Sequence, residues 1–233
     1  MKRLRDLLFP PRCVLCDEVI SPDEGGCCAE CRPKLKYIDD PWCLKCGAPI
    51  ADEGESYCAS CKIRGHLFTA GRALYEYPSV RTSIYRFKYS GRAEYAEFYG
   101  REMALKLKNQ LEKWKPDGLI PIPLYKGRER LRGYNQAERL ARAIGRYCAV
   151  PVFDRLVFRR HKTRPMKELN VKERQNNLKG AFIIPQDVVK LNRIVLVDDI
   201  YTTGATMDSV AGLLLEKGVR EVYTLTLAIG TGI

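Results

Sequence analysis

The sequence has no run approaching the ~18 consecutive apolar residues that a membrane-crossing helix requires, so no membrane span is expected. Its N-terminus starts basic (MKRLRDLLFPPRC), but Asp6 and the Pro10-Pro11 pair cut the apolar stretch short of a secretory leader. The expected setting is the cytoplasm. No GxxxxGK[ST] occurs, which removes the P-loop nucleotide-binding reading. Histidine and tryptophan are scarce, two of each in 233 residues. At 45% hydrophobic and 29% charged, the composition excludes a disordered or fibrous chain. The length suits one large domain or two smaller ones.

Charge is present but unevenly spread. Residues 1–65 carry 10 Lys/Arg against 11 Asp/Glu. Residues 81–174 carry 24 against 10, a net of +14 that holds the whole excess of the +12 chain. A field of that sign attracts phosphate-bearing partners, although basic surfaces are also common as plain solubilising faces.

Nine of the ten cysteines lie between positions 13 and 61. Eight form four CxxC pairs, Cys13/Cys16, Cys28/Cys31, Cys43/Cys46 and Cys58/Cys61, and the last two pairs repeat the first two at an offset of 30 residues. Each CxxC brings two thiolates to one side of a tight turn, and two turns complete the four-sulfur tetrahedron that structural Zn²⁺ prefers. Two structural zinc sites are expected, paired within each repeat. A single zinc, an interleaved pairing and a disulfide framework are the alternatives, the last disfavoured without an export signal. Cys27 is a spare thiol able to substitute for Cys28, and Cys148 reads as core. Eight thiolates and two Zn²⁺ take this segment to about −5, so it is not read as the nucleic-acid surface. A full thiolate shell leaves no open catalytic position. The segment 1–65 is expected to be a metal-held docking or support module, and 66–233 a second domain.

That second part alternates strand and helix. Strands are expected at Ala70–Tyr77, Gly118–Ile122, Pro151–Phe158, Gly180–Ile184, Arg193–Asp199 and Val219–Ile229. Helical periodicity runs over Arg92–Lys115, Gly133–Tyr147 and Gly204–Lys217. The pattern predicts an α/β fold, a mostly parallel sheet with helices on both faces. The basic stretches 123–132 and 159–178 read as loops over the sheet edge.

The most specific motif is IVLVDDIYTTGAT, Ile194–Thr206. A buried strand delivers Asp198 and Asp199 at its carboxyl end, where open α/β sheets bind ligands. A hydroxyl-rich turn, Tyr201–Thr203, then enters a helix at Gly204. Backbone N–H groups of the turn and of the first helical residues, Gly204 and Ala205 among them, converge with the hydroxyls of Thr202, Thr203 and Thr206, a geometry for a phosphomonoester dianion. The acids would repel phosphate and suit vicinal hydroxyls or hydrated Mg²⁺ instead. Together they describe a holder for ribose 5-phosphate. A Walker-B strand, a phospho-acceptor pocket and a structural Asp-Asp turn are the competing readings.

Ile194–Thr206 resembles the PRPP (5-phosphoribosyl 1-pyrophosphate) motif of type I phosphoribosyltransferases. With PIPLYKGRERLRGYNQAERLA (Pro121–Ala141), RRHKTRPMKELNVKERQNNLKGAF (Arg159–Phe182) and the double ribbon in front, the chain resembles the competence-associated ComF/GntX family over nearly its whole length. The resemblance implies a type I phosphoribosyltransferase-like fold, with Asp198 and Asp199 as catalytic residues on the ribose and Thr202–Thr206 on the 5-phosphate. It assigns the pyrophosphate to Lys88, Pro123, Leu124, Arg130, Arg132 and Lys162, with Asn135 and Gln136 nearby, and makes 159–177 a mobile hood. Met166 stands where the family usually has Gln, and a thioether cannot replace an amide's hydrogen bonds. Tyr125 and Tyr134 are candidates to stack on a base, with packing as the alternative. The implied chemistry is Mg²⁺-dependent transfer of a phosphoribosyl group to an unidentified nitrogen acceptor, linked to DNA uptake. The alternatives are a single-stranded-DNA-handling protein using the basic 81–174 region, or a PRPP-sensing regulator. A component of the uptake machinery is the partner the resemblance suggests for the ribbons.

Overall fold

The structure is a computed structural model that describes residues 10–160, 180–185 and 191–230. The expected ribbon repeat is realised bond by bond. Cys13 N–H donates to Glu18 O and Cys43 N–H to Ala48 O; Val14 N–H donates to Gly26 O and Leu44 N–H to Ser56 O. Each pair is offset by 30 residues. The left-handed residue behind the first knuckle of each unit repeats as well, Asp17 at φ 69° and Gly47 at φ 77°. Gly47 cannot be replaced as Asp17 is, because a Cβ there would lie 2.6 Å from the Arg72 Cα.

After a short helix α1 (Ala59–Ile63), the chain builds β1 (Ala70–Glu76), α2 (Tyr77–Tyr89), α3 (Tyr95–Lys106), α4 (Lys108–Trp114), β2 (Gly118–Pro121), α5 (Lys126–Arg132) and α6 (Gln136–Cys148). Then come β3 (Phe158–Arg159), β4 (Phe182–Ile183), β5 (Arg193–Tyr201), α7 (Ala205–Glu216) and β6 (Glu221–Ile229). The main sheet is four-stranded and parallel in the order β1-β6-β5-β2, and β3-β4 form a separate antiparallel pair. Strand β5 is central and apolar on both sides, as a parallel sheet covered on both faces demands. Val195 and Val197 join a core with α2, α3, α4 and α6, while Ile194 and Leu196 join another with α7. The α/β architecture expected from the alternating pattern is therefore present.

The ribbons straddle this sheet. Cys13, Val14, Ile20, Cys27 and Cys31 belong to the first core, Cys43, Cys46 and Ala48 to the second. Between them the chain crosses the outer edge of β1: Ile38 N–H donates to Leu74 O and Glu76 N–H to Lys36 O, capping an edge that would otherwise be open. Polar ties reinforce the first ribbon, with Asp17 accepting from Arg92 at 2.7 Å and from the Tyr95 hydroxyl at 2.6 Å.

Several expectations are corrected. Stretch 123–132 is not all loop: KGRERLR forms α5, entered from extended Tyr125 and closed by left-handed Gly133. Its residues are helix formers but for Gly127, yet none is buried, so no apolar period marked it. Pro78 does end the first strand, and it also opens α2 at the start of the helix, where its missing N–H costs nothing. The helix expected over Arg92–Lys115 breaks at Leu107 into α3 and α4. Pro151–Phe158 contributes only a bridge from Val152 to Leu119 before β3. Of the hood, residues 161–177 lie outside the described residues.

Candidate functional site

The parallel sheet ends its β5 and β2 strands side by side, and Ile122 N–H donates to Val197 O at 2.9 Å. This places Pro123 and Leu124, just past β2, beside the end of β5 that carries Asp198 and Asp199. One concavity is lined by Asp198, Ile200 and the run Tyr201–Met207. The loop turns on Gly204, left-handed at φ 76°, and α7 follows. Asp198, Thr202, Thr203, Gly204, Ala205 and Thr206 are thus brought together, with α7 presenting its N-terminus to the concavity.

The two acids are not equivalent. Asp199 is buried and lies 2.8 Å from the Nζ of Lys88, which reaches it from α2. Asp198 lines the concavity, and its Oδ1 accepts from the Asp199 N–H at 2.8 Å. Burial first, then the Asp199 charge, push its carboxyl up to about 7, with Lys88 and Arg159 acting in the opposite sense. Arg159 of β3 is itself held below the usual guanidinium range by burial and by the like charge of Arg128. Arg159 therefore joins Lys88 as a cation near the acids, with Arg128 beside Arg159. Sequence reasoning placed Arg159 only within the hood and gave Arg128 no role, because a basic run does not show which member turns inward.

The motif RGYNQ does structural work. The Tyr134 hydroxyl and Gln136 Nε2 both donate to the Phe87 carbonyl, the latter at 3.4 Å, and Asn135 Nδ2 donates to the Ile122 carbonyl at 3.0 Å. Asn135 also caps α6 through the Ala137 N–H. Tyr134, buried with its hydroxyl engaged, packs against Phe87 rather than offering a face to a base. These residues fix the backbone next to Lys88 and next to Pro123. Arg132 donates to Gln136 Oε1 at 2.9 Å and to the Tyr89 hydroxyl at 3.1 Å, while Arg130 is exposed on α5. Lys162 lies outside the described residues.

Behind the ribbons' repeat sit two sulfur clusters, Cys13/Cys16/Cys28/Cys31 and Cys43/Cys46/Cys58/Cys61, each with all four sulfurs within 4.8 Å of one another. Pairing is within the repeats, and the donor set, four soft sulfurs with no further ligand among the described residues, fits structural Zn²⁺. Crowding splits the thiols of each cluster: Cys31 is pushed up by burial and by its three partners and Cys46 by Cys43 and Cys61, while Cys13, despite burial, is held down by backbone hydrogen bonds and Cys43 by its bonds from Cys46 and Cys61. Cys27 is not a substitute ligand. It is buried beside the cluster, faces the Cys28 carbonyl, and burial lifts its thiol to about 12. Cys148 is only partly buried.

Comparison with known proteins matches two regions of the chain. Residues 4–62 match the double zinc ribbon domain and residues 99–230 the phosphoribosyl transferase domain. The chain is 30% identical to competence protein ComFC of Bacillus subtilis (strain 168), covering 92% of this chain and 93% of that one. It is 28% identical to competence protein F of Haemophilus influenzae, over 94% and 97% respectively. The DNA utilization protein YhgH of Escherichia coli (strain K12) is also 28% identical, over 95% and 98%. With two four-cysteine zinc sites ahead of a phosphoribosyl transferase domain, and likeness to these relatives along nearly its full length, the chain belongs to the ComF family of competence proteins.

Proposed function

We propose that the protein binds PRPP with Mg²⁺ and transfers its 5-phosphoribosyl group to a nitrogen acceptor, in the service of DNA uptake or utilization. The observation that carries this is the shared concavity of Asp198 and the Tyr201–Met207 loop. The loop and the start of α7 hold the 5-phosphate, and its binding energy orients the ribose. Asp198, once ionised, accepts from a ribose hydroxyl and stabilises the positive charge that grows at C1 as the bond to pyrophosphate breaks and the bond to nitrogen forms. Asp199 holds Lys88 in place at the cationic side, where Lys88, Arg159 and Arg128 balance the leaving pyrophosphate. The carboxylates and PRPP's own oxygens are the hard donors Mg²⁺ prefers, and the ion would neutralise the leaving group.

A second reading is single-stranded DNA handling, which goes beyond the competence and DNA utilization in the relatives' names and rests on exposed rings. Tyr85 and Tyr89 stand 61% and 60% exposed on α2 with ring centroids 5.0 Å apart, and the Arg132 guanidinium lies over Tyr89. Exposed rings among cations suit stacked bases. Calorimetry with Mg·PRPP and with an oligonucleotide, on the wild type and on Asp198→Ala/Asp199→Ala, separates the readings. The expected result is PRPP binding lost in the double variant and oligonucleotide binding kept. Wild-type protein that ignores PRPP sinks the transferase proposal. Tight PRPP binding with no pyrophosphate release across a broad panel of amines and bases leaves a sensor in its place.

A further inference from the structure

We infer that the second ribbon is the footing of the phosphate loop, so that zinc at Cys43, Cys46, Cys58 and Cys61 governs how firmly that loop holds a phosphomonoester. This rests on the phosphate reading of Thr202–Thr206 given above.

The link runs through His66, five residues beyond the last zinc ligand. Its side chain is only 2% exposed. Nδ1 lies 2.7 Å from Asp208 Oδ2, and the next residue, Leu67, donates its N–H to Asp208 Oδ1 at 2.8 Å. Asp208 sits one turn into α7, so two consecutive residues of the linker leaving the ribbon grip the helix that begins the phosphate site. On its other side the ring meets the loop itself. Nε2 is 3.3 Å from the Tyr201 hydroxyl, and a Cβ at Gly204 would fall 2.4 Å from that hydroxyl and 2.7 Å from the His66 Cε1. His66 thus touches the residue before the turn and packs against the glycine that caps α7, while binding an acid inside the helix.

The contact also answers an electrostatic difficulty. A carboxylate in the first turns of α7 opposes an anion at the helix N-terminus. Two hydrogen bonds from the linker engage both oxygens of Asp208 and hold them on the ribbon side. The ring is fixed in turn by stacking on Phe68 at 4.9 Å, and Phe68, Tyr201, Met207 and Val210 share one core with Cys43 and Cys46. Beyond His66 the linker is anchored by buried Phe68 and by the Thr69 N–H on Val222 O, but ahead of it α1, which carries Cys61, has five residues, far below the length at which a helix stands alone. Its stability comes from the metal cluster at its start. Removing that zinc therefore releases His66, and with it Asp208 and the Gly204 turn. His66 is a positioning residue, with no contact to substrate of its own.

The test uses full-length zinc-loaded protein and the variants His66→Ala, His66→Asn, Cys58→Ser/Cys61→Ser and Cys13→Ser/Cys16→Ser. Hydrogen–deuterium exchange of the Thr202–Met207 amides reads the loop, and calorimetry reads affinity for two probes, ribose 5-phosphate and inorganic pyrophosphate. His66→Ala and Cys58→Ser/Cys61→Ser are expected to speed loop exchange and weaken ribose 5-phosphate about tenfold, the scale of one lost charge-assisted hydrogen bond, with pyrophosphate affinity unchanged. His66→Asn, whose amide still donates to Asp208, should recover part of both. Cys13→Ser/Cys16→Ser, on the opposite face of the sheet, should leave loop exchange alone. Unchanged loop exchange in folded His66→Ala overturns the inference, whatever becomes of the cysteine variants, and so does equal loosening by the first-ribbon variant. Wild-type protein that does not bind ribose 5-phosphate fells the phosphate reading instead, and exchange alone then decides the footing.

Discussion

Replacing Asp198 with asparagine should make the protein more stable and a poorer ligand binder at once. In the folded state burial and the neighbouring Asp199 raise the Asp198 carboxyl from 3.8 to about 7. Each unit is worth about 1.4 kcal/mol, so the ionised acid costs the fold at most about 4 kcal/mol above pH 7. Asp198 is not wholly buried, and solvent screening brings the expected figure to about 2 kcal/mol. Asparagine removes the charge and keeps an oxygen to accept the Asp199 N–H. The sign follows from linkage: with the folded value above the unfolded one, the protonated acid favours folding at low pH, and that contribution is lost as pH rises through 7. The advantage of the variant is therefore small near pH 4, grows with pH, and levels off above 7.

For a chain of this size about 2 kcal/mol corresponds to roughly 4–8 °C in Tm. Paired melts of wild type and Asp198→Asn between about pH 5.5 and 8.5, with zinc content checked at each pH, read it directly. Calorimetry at pH 8 should show Mg·PRPP weakened by about 10- to 100-fold, the loss of a charge-assisted hydrogen bond to a ribose hydroxyl. Stability gained where affinity is lost is the mark of a group kept strained for function. A Tm difference that is flat with pH, or of the opposite sign, refutes the reasoning. Asp199→Asn is the counter-case: it strands Lys88 in a mostly buried site, so it should destabilise by about 1 kcal/mol or more at the same pH, read in the same melts.

Three other outcomes follow. Gly204→Ala forces a left-handed alanine against Tyr201 and His66, and should cost about 2 kcal/mol or more in denaturant melts while abolishing ribose 5-phosphate binding. Tyr134→Phe strips a donor from the Phe87 carbonyl and should destabilise by about 1–2 kcal/mol, with Lys88-dependent pyrophosphate affinity falling in calorimetry. Metal analysis should return two zinc atoms per chain, and because each ribbon shares a core with the sheet, a chelator that strips both should lower the Tm of the sheet itself rather than only release a loose N-terminal piece, read by circular dichroism.

What the sequence made legible was whatever has a period. The 30-residue spacing of the cysteines gives the ribbon pair, whose backbone hydrogen bonds then repeat at the same offset, and the apolar run Ile194–Val197 gives the central strand. Short or polar elements escaped. Helix α5 buries nothing, so no amphipathic stripe announces it, and α2 hides behind a proline that ends one element while starting the next. Long-range placement was also invisible. Nothing in the order of residues says that one ribbon covers each face of the sheet, or that a histidine after the last CxxC touches a helix 142 positions on.

The acid pair shows most plainly how adjacency in sequence misleads. Two neighbouring carboxylates suggest a single two-pronged grip, yet consecutive strand residues point to opposite faces. Asp199 accordingly meets Lys88 from α2, on the side of the first ribbon, while Asp198 shares its concavity with the phosphate loop, whose back rests on the second. The strand's period of two separates the acids: Asp199 pairs with Lys88, while Asp198 has no ion pair within 4.0 Å among the described residues and is the one that the proposed transferase reading gives to a ribose hydroxyl. Each half of that arrangement is braced by a different ribbon. A zinc module lying wholly to one side of the sheet could support only one of them, which gives a physical reason for the tandem repeat.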